Sequence, residues 1–117
     1  VGALLNVVCL GGRLTKDPEL RYTASGRPVC GFVLAVDRDY RDDEGNRPAD
    51  FIPVVAWGQM AEFCAQYLSK GRLVNITGRI QTRSYETDDG GRRRTVEVIA
   101  DSVYFMDRPK GGERHDA

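Results

Sequence analysis

The chain has 117 residues, enough for one domain with a single core and too few for two. With 41% hydrophobic and 29% charged residues it reads as a globular domain, and no run approaches the ~20 apolar residues of a membrane span. Seventeen basic residues balance seventeen acidic ones, so any affinity for a polyanion must come from local arrangement and not from net charge.

In chain order, Val1-Gly2-Ala3 reads as a processing or cloning remnant, and Leu5 to Leu10 reads as a first strand closed by Gly11-Gly12. The apolar opening has no positive flank and no small-residue cleavage site, so a strand explains it better than a signal peptide. Asp17-Pro18 breaks the chain, and Glu19 to Tyr22 is a small extension before the turn at Ser25-Gly26. Pro28 to Asp37 is a long strand, apolar on both faces. Arg38 to Pro48 is charged and turn-rich, a long hairpin loop, and Ala49 to Trp57 is its return strand, with a local irregularity expected at Pro53. Gln59 to Lys70 is the one helix, with Met60, Phe63, Cys64, Tyr67 and Leu68 on a single apolar stripe and Gly71 as its stop. Arg72 to Tyr85 alternates as a strand, with Val74, Ile76 and Ile80 pointing one way. Asn75, Thr77, Arg79, Gln81, Arg83 and Tyr85 point the other way. Asp88-Asp89-Gly90-Gly91 makes a hairpin turn, Arg93 to Phe105 is the last strand, and 107–117 is expected to be disordered. Three strands, a helix and two strands predict an all-β protein, a five-stranded antiparallel barrel of the OB type with one helix between strands three and four, over residues 1–106.

The odd-numbered face of the strand at 72–85 carries the chemistry. Arg79, Arg83 and Tyr85 stand in line on it at about 6.6 Å per alternate residue, close to the spacing of a stretched nucleotide. Cations for phosphates interleaved with rings for bases suit a single-stranded nucleic acid. The same pattern also suits a solvated face whose Arg stems shield the core. The strand at 49–57 shifts the balance: if Ile52, Val54 and Ala56 point inward, Phe51 and Trp57 point outward together. Tyr40 and Tyr85 would extend that stacking surface, whereas Tyr22 and Tyr67 read as structural. The run Arg92-Arg93-Arg94 shares a hairpin with Arg83 and Tyr85 and adds candidate phosphate contacts. Only Lys16, Lys70 and Lys110 are lysines; the remaining cations are arginines, which both bridge phosphates and stack on rings.

Cys9, Cys30 and Cys64 are odd in number and lack paired spacing, so all three are expected to be buried, reduced thiols of a cytosolic protein with no zinc site. The only histidine, His115, lies in the expected tail, which removes histidine-based catalysis. No phosphate loop or dinucleotide fingerprint is present, and Asp37 to Glu44 lacks the spacing and glycine of a calcium loop. An enzyme, a cofactor and a metal are therefore not expected.

With order and aromatics in hand, the sequence resembles the bacterial single-stranded DNA-binding (SSB) family from Asn6 to about Tyr104. The resemblance runs through Leu10–Tyr22, Phe32–Asp37, Phe51–Glu62, Tyr67–Gly71 and Val74–Tyr85. It implies an OB-fold that holds single-stranded DNA with little sequence preference in the bacterial cytoplasm and nucleoid, as a homotetramer. The family's stacking aromatics fall on Tyr40, Phe51, Trp57 and Tyr85, and its basic positions on Lys70, Arg83 and Arg93. Pro53, Gln59, Gln81 and Ser84 stand where better-known members carry basic residues, and Arg72 and Arg79 are the candidates to compensate. Family members continue through a linker to an acidic tip that recruits replication and repair proteins. Here the expectation is a truncated chain or a tail-less relative, with such partners only if a longer acidic tail exists. Rival readings are a dimeric primosome accessory protein, an RNA-binding OB module, a non-nucleic-acid interaction domain and, more distantly, a barrel nuclease.

Overall fold

The computed structural model describes residues 4–107. Six strands and one helix follow one another: β1 (Val8–Leu14), β2 (Glu19–Tyr22), β3 (Pro28–Asp37), β4 (Ala49–Trp57), α1 (Gln59–Tyr67), β5 (Leu73–Glu86) and β6 (Arg92–Phe105). They form one sheet in the order β1-β5-β6-β4-β3-β2, and β1 turns back onto β3 through Arg13↔Ala35 and Leu14↔Leu34. Five strands thus close a ring, with β2 added outside β3 and the helix between the third and fourth strands of the ring. That is the OB arrangement.

The ring is not wholly antiparallel. β4 and β6 run parallel and pair only at Val54↔Val98 and Val55↔Ile99, a short seam that brings the two halves of the chain together. Pro53 sits opposite Val33 without a break in register. β6 accompanies β4 only from Val54 onward, so the missing N–H of Pro53 can face an unpaired edge.

The core follows from alternation. Cys30, Phe32 and Leu34 of β3, Val54 and Ala56 of β4, Val74 and Ile76 of β5, and Val98 and Ala100 of β6 are buried inside the ring. Each fully buried Leu, Ile or Val there contributes roughly 1.5–3 kcal/mol. The helix closes one end with Ala61, Cys64 and Leu68. Its buried stripe is therefore rotated from the expected one: Met60 and Phe63 are only partly buried, and Tyr67 is half exposed, its ring 5.0 Å from that of Phe63. The helix also ends earlier, at Tyr67, because Leu68 is already extended. Gly71, at φ 87°, turns the Ser69–Arg72 connection into β5 and does not itself cap the helix.

Four further expectations need correction. The first strand does not stop at Gly11-Gly12 but begins at Val8 and continues to Leu14. Side-chain-free positions are needed there because β1 crosses close to Asn75 and to the Ala35 backbone. Ile80 is exposed and not in the core, since β1 ends at Val8 opposite Gly78 and only the Asn6 segment lies beside Ile80. Cys9 is exposed, lying on the outward face of β1 opposite Thr77, so only Cys30 and Cys64 are buried thiols. Tyr22 is exposed at the end of the short edge strand β2 and supports no core. The reading of 1–3 as a remnant lies outside the described residues, as does that of 107–117 as a disordered tail except at Asp107, which Arg72 and the Leu73 N–H hold in place.

Candidate nucleic-acid interface

Because Val54 and Ala56 point inward, Phe51, Pro53, Val55 and Trp57 point outward on β4. Register extends that face across the sheet. Val29↔Trp57 and Gly31↔Val55 join β3 to β4, Arg21↔Val29 and Glu19↔Gly31 join β2 to β3, and Val55↔Ile99 and Arg79↔Ile99 carry the row to β6 and β5. Beyond it, Gln81↔Glu97, Arg83↔Thr95 and Tyr85↔Arg93 follow the ribbon outward on the same face. The odd-numbered side of β5 and the outward side of β4 are thus one surface.

A groove of about 250 Å³ lies on it, lined by Glu19, Arg21, Val29, Gly31, Val55, Trp57, Gln81, Arg83 and Glu97. A second, of about 300 Å³, shares Glu19, Gly31 and Val55 and continues past Pro53 to Thr15, Lys16 and Asp17. Trp57 is held at the point where Gly58, at φ 63°, turns β4 into the helix, and the Arg27 guanidinium lies 4.6 Å over its ring. Phe51 is 66% exposed, about 20 Å along β4 from Trp57, and Tyr85 is 53% exposed on the ribbon.

Tyr40 is exposed in the hairpin loop. Arg38 donates to its hydroxyl at 3.1 Å and forms a forked pair with Asp50, at 2.7 Å from Nη2. The guanidinium beside it holds the Asp50 carboxyl below the usual carboxylate range. Asp42 Oδ1 accepts the N–H groups of Glu44 and Asn46, which shapes the loop tip.

The candidate cations divide. Arg83 pairs with Glu97 at 3.3 Å and Arg79 with Asp101 at 3.6 Å, the Arg83 side chain remaining largely exposed and that of Arg79 half exposed on the grooved face. The run 92–94 is split by strand alternation: Arg93 shares the side of Tyr85, whereas Arg92 and Arg94 stand opposite Glu86 and Ser84 on the other side of the ribbon. Lys70 sits in the turn after the helix, its N–H held by Asp17 at the rim of the second groove. Arg72 is elsewhere. Its side chain is only 12% exposed, paired with Asp107 at 3.0 Å and stacked 4.4 Å over Phe105.

Sequence reasoning missed Arg21, Arg27, Lys16 and Glu97. The signal lies in register: with Val29 opposite Trp57, Arg27 on the same face of the chain comes beside the tryptophan, and the pairing of β2 with β3 sets Arg21 on the far side of Val29. Glu97 gave no signal, since an acid between Val96 and Val98 looks like an outward strand residue. Among the described residues no group of three His, Cys, Asp or Glu is placed to hold a metal, and no helix is long and apolar enough to cross a membrane.

The ring closure and the open aromatic and cationic face together define a class: a small OB-type barrel whose sheet surface offers planar groups and charge to an extended ligand. The chain belongs to the single-strand binding protein family, whose profile matches residues 5–106. It is 53% identical to the single-stranded DNA-binding protein of Caldanaerobacter subterraneus subsp. tengcongensis over 93% of this chain and 72% of that protein. It is 59% identical to that of Clostridium tetani over 88% and 71% respectively. The single-stranded DNA-binding protein of Bacillus cereus is 50% identical over 93% of this chain and 64% of its own length.

Proposed function

We propose that this chain binds single-stranded DNA with little sequence preference and shields strands exposed in replication, recombination and repair. The observation that carries this reading is the outward face that brings together Phe51 and Trp57 of β4, Arg79, Arg83 and Tyr85 of β5 and Arg93 of β6. Bases stack on the rings, with Tyr40 reaching in from the hairpin loop. Each stacked base contributes about 1–3 kcal/mol whatever its identity, because every base has a π-face. Phosphates take up the exposed guanidinium groups, and Arg79 exchanges Asp101 for phosphate at little cost, since an exposed pair is worth about 0–1 kcal/mol. Lys70, Arg92 and Arg94 lie off the main face and serve a strand that wraps around the rim or the ribbon. Arg72 is assigned to the fold.

Self-association, with a homotetramer as the proposed state, is supported by a second surface. Leu4, Leu5 and Val7 are strongly exposed, yet Asn6 exchanges two hydrogen bonds with the Ile80 backbone, at 2.8 and 2.9 Å, and holds that segment flush along β5. β1 reaches β3 only at Arg13 and Leu14, which leaves the edge from Val8 to Gly12 open to another strand.

The test is labelled oligo-dT, matched RNA and duplex DNA compared by fluorescence anisotropy, with mass measured by sedimentation. Tight, salt-sensitive binding of oligo-dT over RNA and duplex supports the reading. Preference for RNA, or absence of binding, would overturn it, and a dimer would remove the tetramer.

A further inference from the structure

Gly31 stands in the middle of β3, a strand bonded on both sides, where a residue with no side chain weakens the sheet. Most of the other glycines among the described residues have a reason in the backbone: a positive φ at 26, 45, 58, 71 and 90, or a close approach at 11, 12 and 78. Gly31 has neither. Its φ is not positive, and a Cβ placed on it would meet only the Val54 carbonyl oxygen, at 4.0 Å. The fold would accept a side chain there.

The outward surface is where that side chain would stand. Gly31 lies between Glu19 and Val55 in the row that crosses the sheet, and it lines both grooves, so a side chain at 31 would rise where the two meet. Val29 and Val55 form an apolar floor beside it, with Trp57 as one wall and Glu97 and Gln81 across from it. We infer that Gly31 is a base-seating position of the proposed DNA site: the missing side chain opens a seat in which a base lies flat on the Val29–Val55 floor beside Trp57. It also lets the strand pass from one groove to the next. This rests on the single-stranded DNA reading and adds to it a role for a residue with no polar or aromatic group of its own.

The variants are Gly31→Ala and Gly31→Val in the full chain, each measured for urea stability and for affinity to labelled oligo-dT. Valine is a better strand former than glycine, so Gly31→Val is expected to unfold at an equal or higher urea concentration than the unsubstituted chain. Its affinity is expected to fall about tenfold, in keeping with the loss of one stacked base, and that of Gly31→Ala by a smaller factor. A better-folded protein that binds less well is an outcome a structural role for Gly31 does not produce. Binding within twofold of the unsubstituted chain would overturn the inference, as would loss of stability in both variants. If the unsubstituted chain itself binds no oligo-dT, the functional reading falls and this inference with it; equal binding by Gly31→Val removes the inference alone.

Discussion

Arg83 and Glu97 form a lopsided ion pair across the β5–β6 ribbon, Nε of the arginine lying 3.3 Å from Oε1 of the glutamate. The Glu97 side chain is almost fully buried while that of Arg83 is 65% exposed. They are diagonal neighbours, since Arg83 faces Thr95 and Glu97 faces Gln81. The acid fixes the stem of the cation, and the exposed N–H groups remain available to a phosphate. Arg83→Ala should therefore do two separable things. It should lower the slope of log affinity against log salt by about 0.7, one single-strand phosphate contact. It should also destabilise the fold by about 1–3 kcal/mol, because a buried acceptor loses its partner. Adding Glu97→Gln to Arg83→Ala should recover most of that stability without restoring the slope. Urea unfolding and salt titration of the two variants check this, and a recovered slope would mean that Glu97, not Arg83, governs the electrostatics.

Arg72 and Arg93 make a matched contrast. Arg72 is enclosed by Asp107 and Phe105, so Arg72→Ala should cost about 1–2 kcal/mol of stability through the lost pair and packing, with the salt slope unchanged. Arg93, exposed opposite Tyr85, should behave in the reverse way: Arg93→Ala should leave stability within about 0.5 kcal/mol and lower the slope by about 0.7. Equal salt effects from the two substitutions would contradict the assignment of Arg72 to the fold.

The thiols should react as two classes. Burial pushes Cys30 up to about 11 and Cys64 up to about 12, from an ordinary value of 9.0, while Cys9 is exposed. At pH 8 a thiol reagent should modify one cysteine per chain quickly and the other two only on unfolding. Above pH 9 the unfolded chain gives up these two protons before the folded one does. Their contribution to stability, complete below that value, is therefore lost progressively as pH rises towards 11 and 12. Cys9→Ser should abolish the fast reaction and leave the alkaline loss of stability unchanged.

Much of this was legible in the sequence because strands advertise their faces. The alternation of Phe51, Pro53, Val55 and Trp57 against Ile52, Val54 and Ala56 placed the aromatics outside, and the odd residues of β5 were assigned to the surface they occupy. Local pattern failed where distant chain segments decide. Ile80 looks like core by parity, but β1 ends at Val8 opposite Gly78, and only the path of residues 4–7 beside β5 reveals that. Cys9 looks buried among apolar neighbours, yet it lies on the exposed outward face of β1. Arg72 looked like its neighbours in charge, and its burial depends on Asp107, 35 residues away. Glu97 is the same case reversed, an acid drawn into the groove by Arg83.

The central claim, that single strands lie on the outward face of β4, is tested most directly by the intrinsic fluorescence of Trp57, the chain's only tryptophan. Oligo-dT is titrated at low and at high salt while binding is followed independently by anisotropy. Saturable quenching that tracks the bound fraction, with a midpoint that moves to higher oligonucleotide concentration at high salt, is the predicted result. Binding with Trp57 emission unchanged would place the strand on another surface and contradict the account.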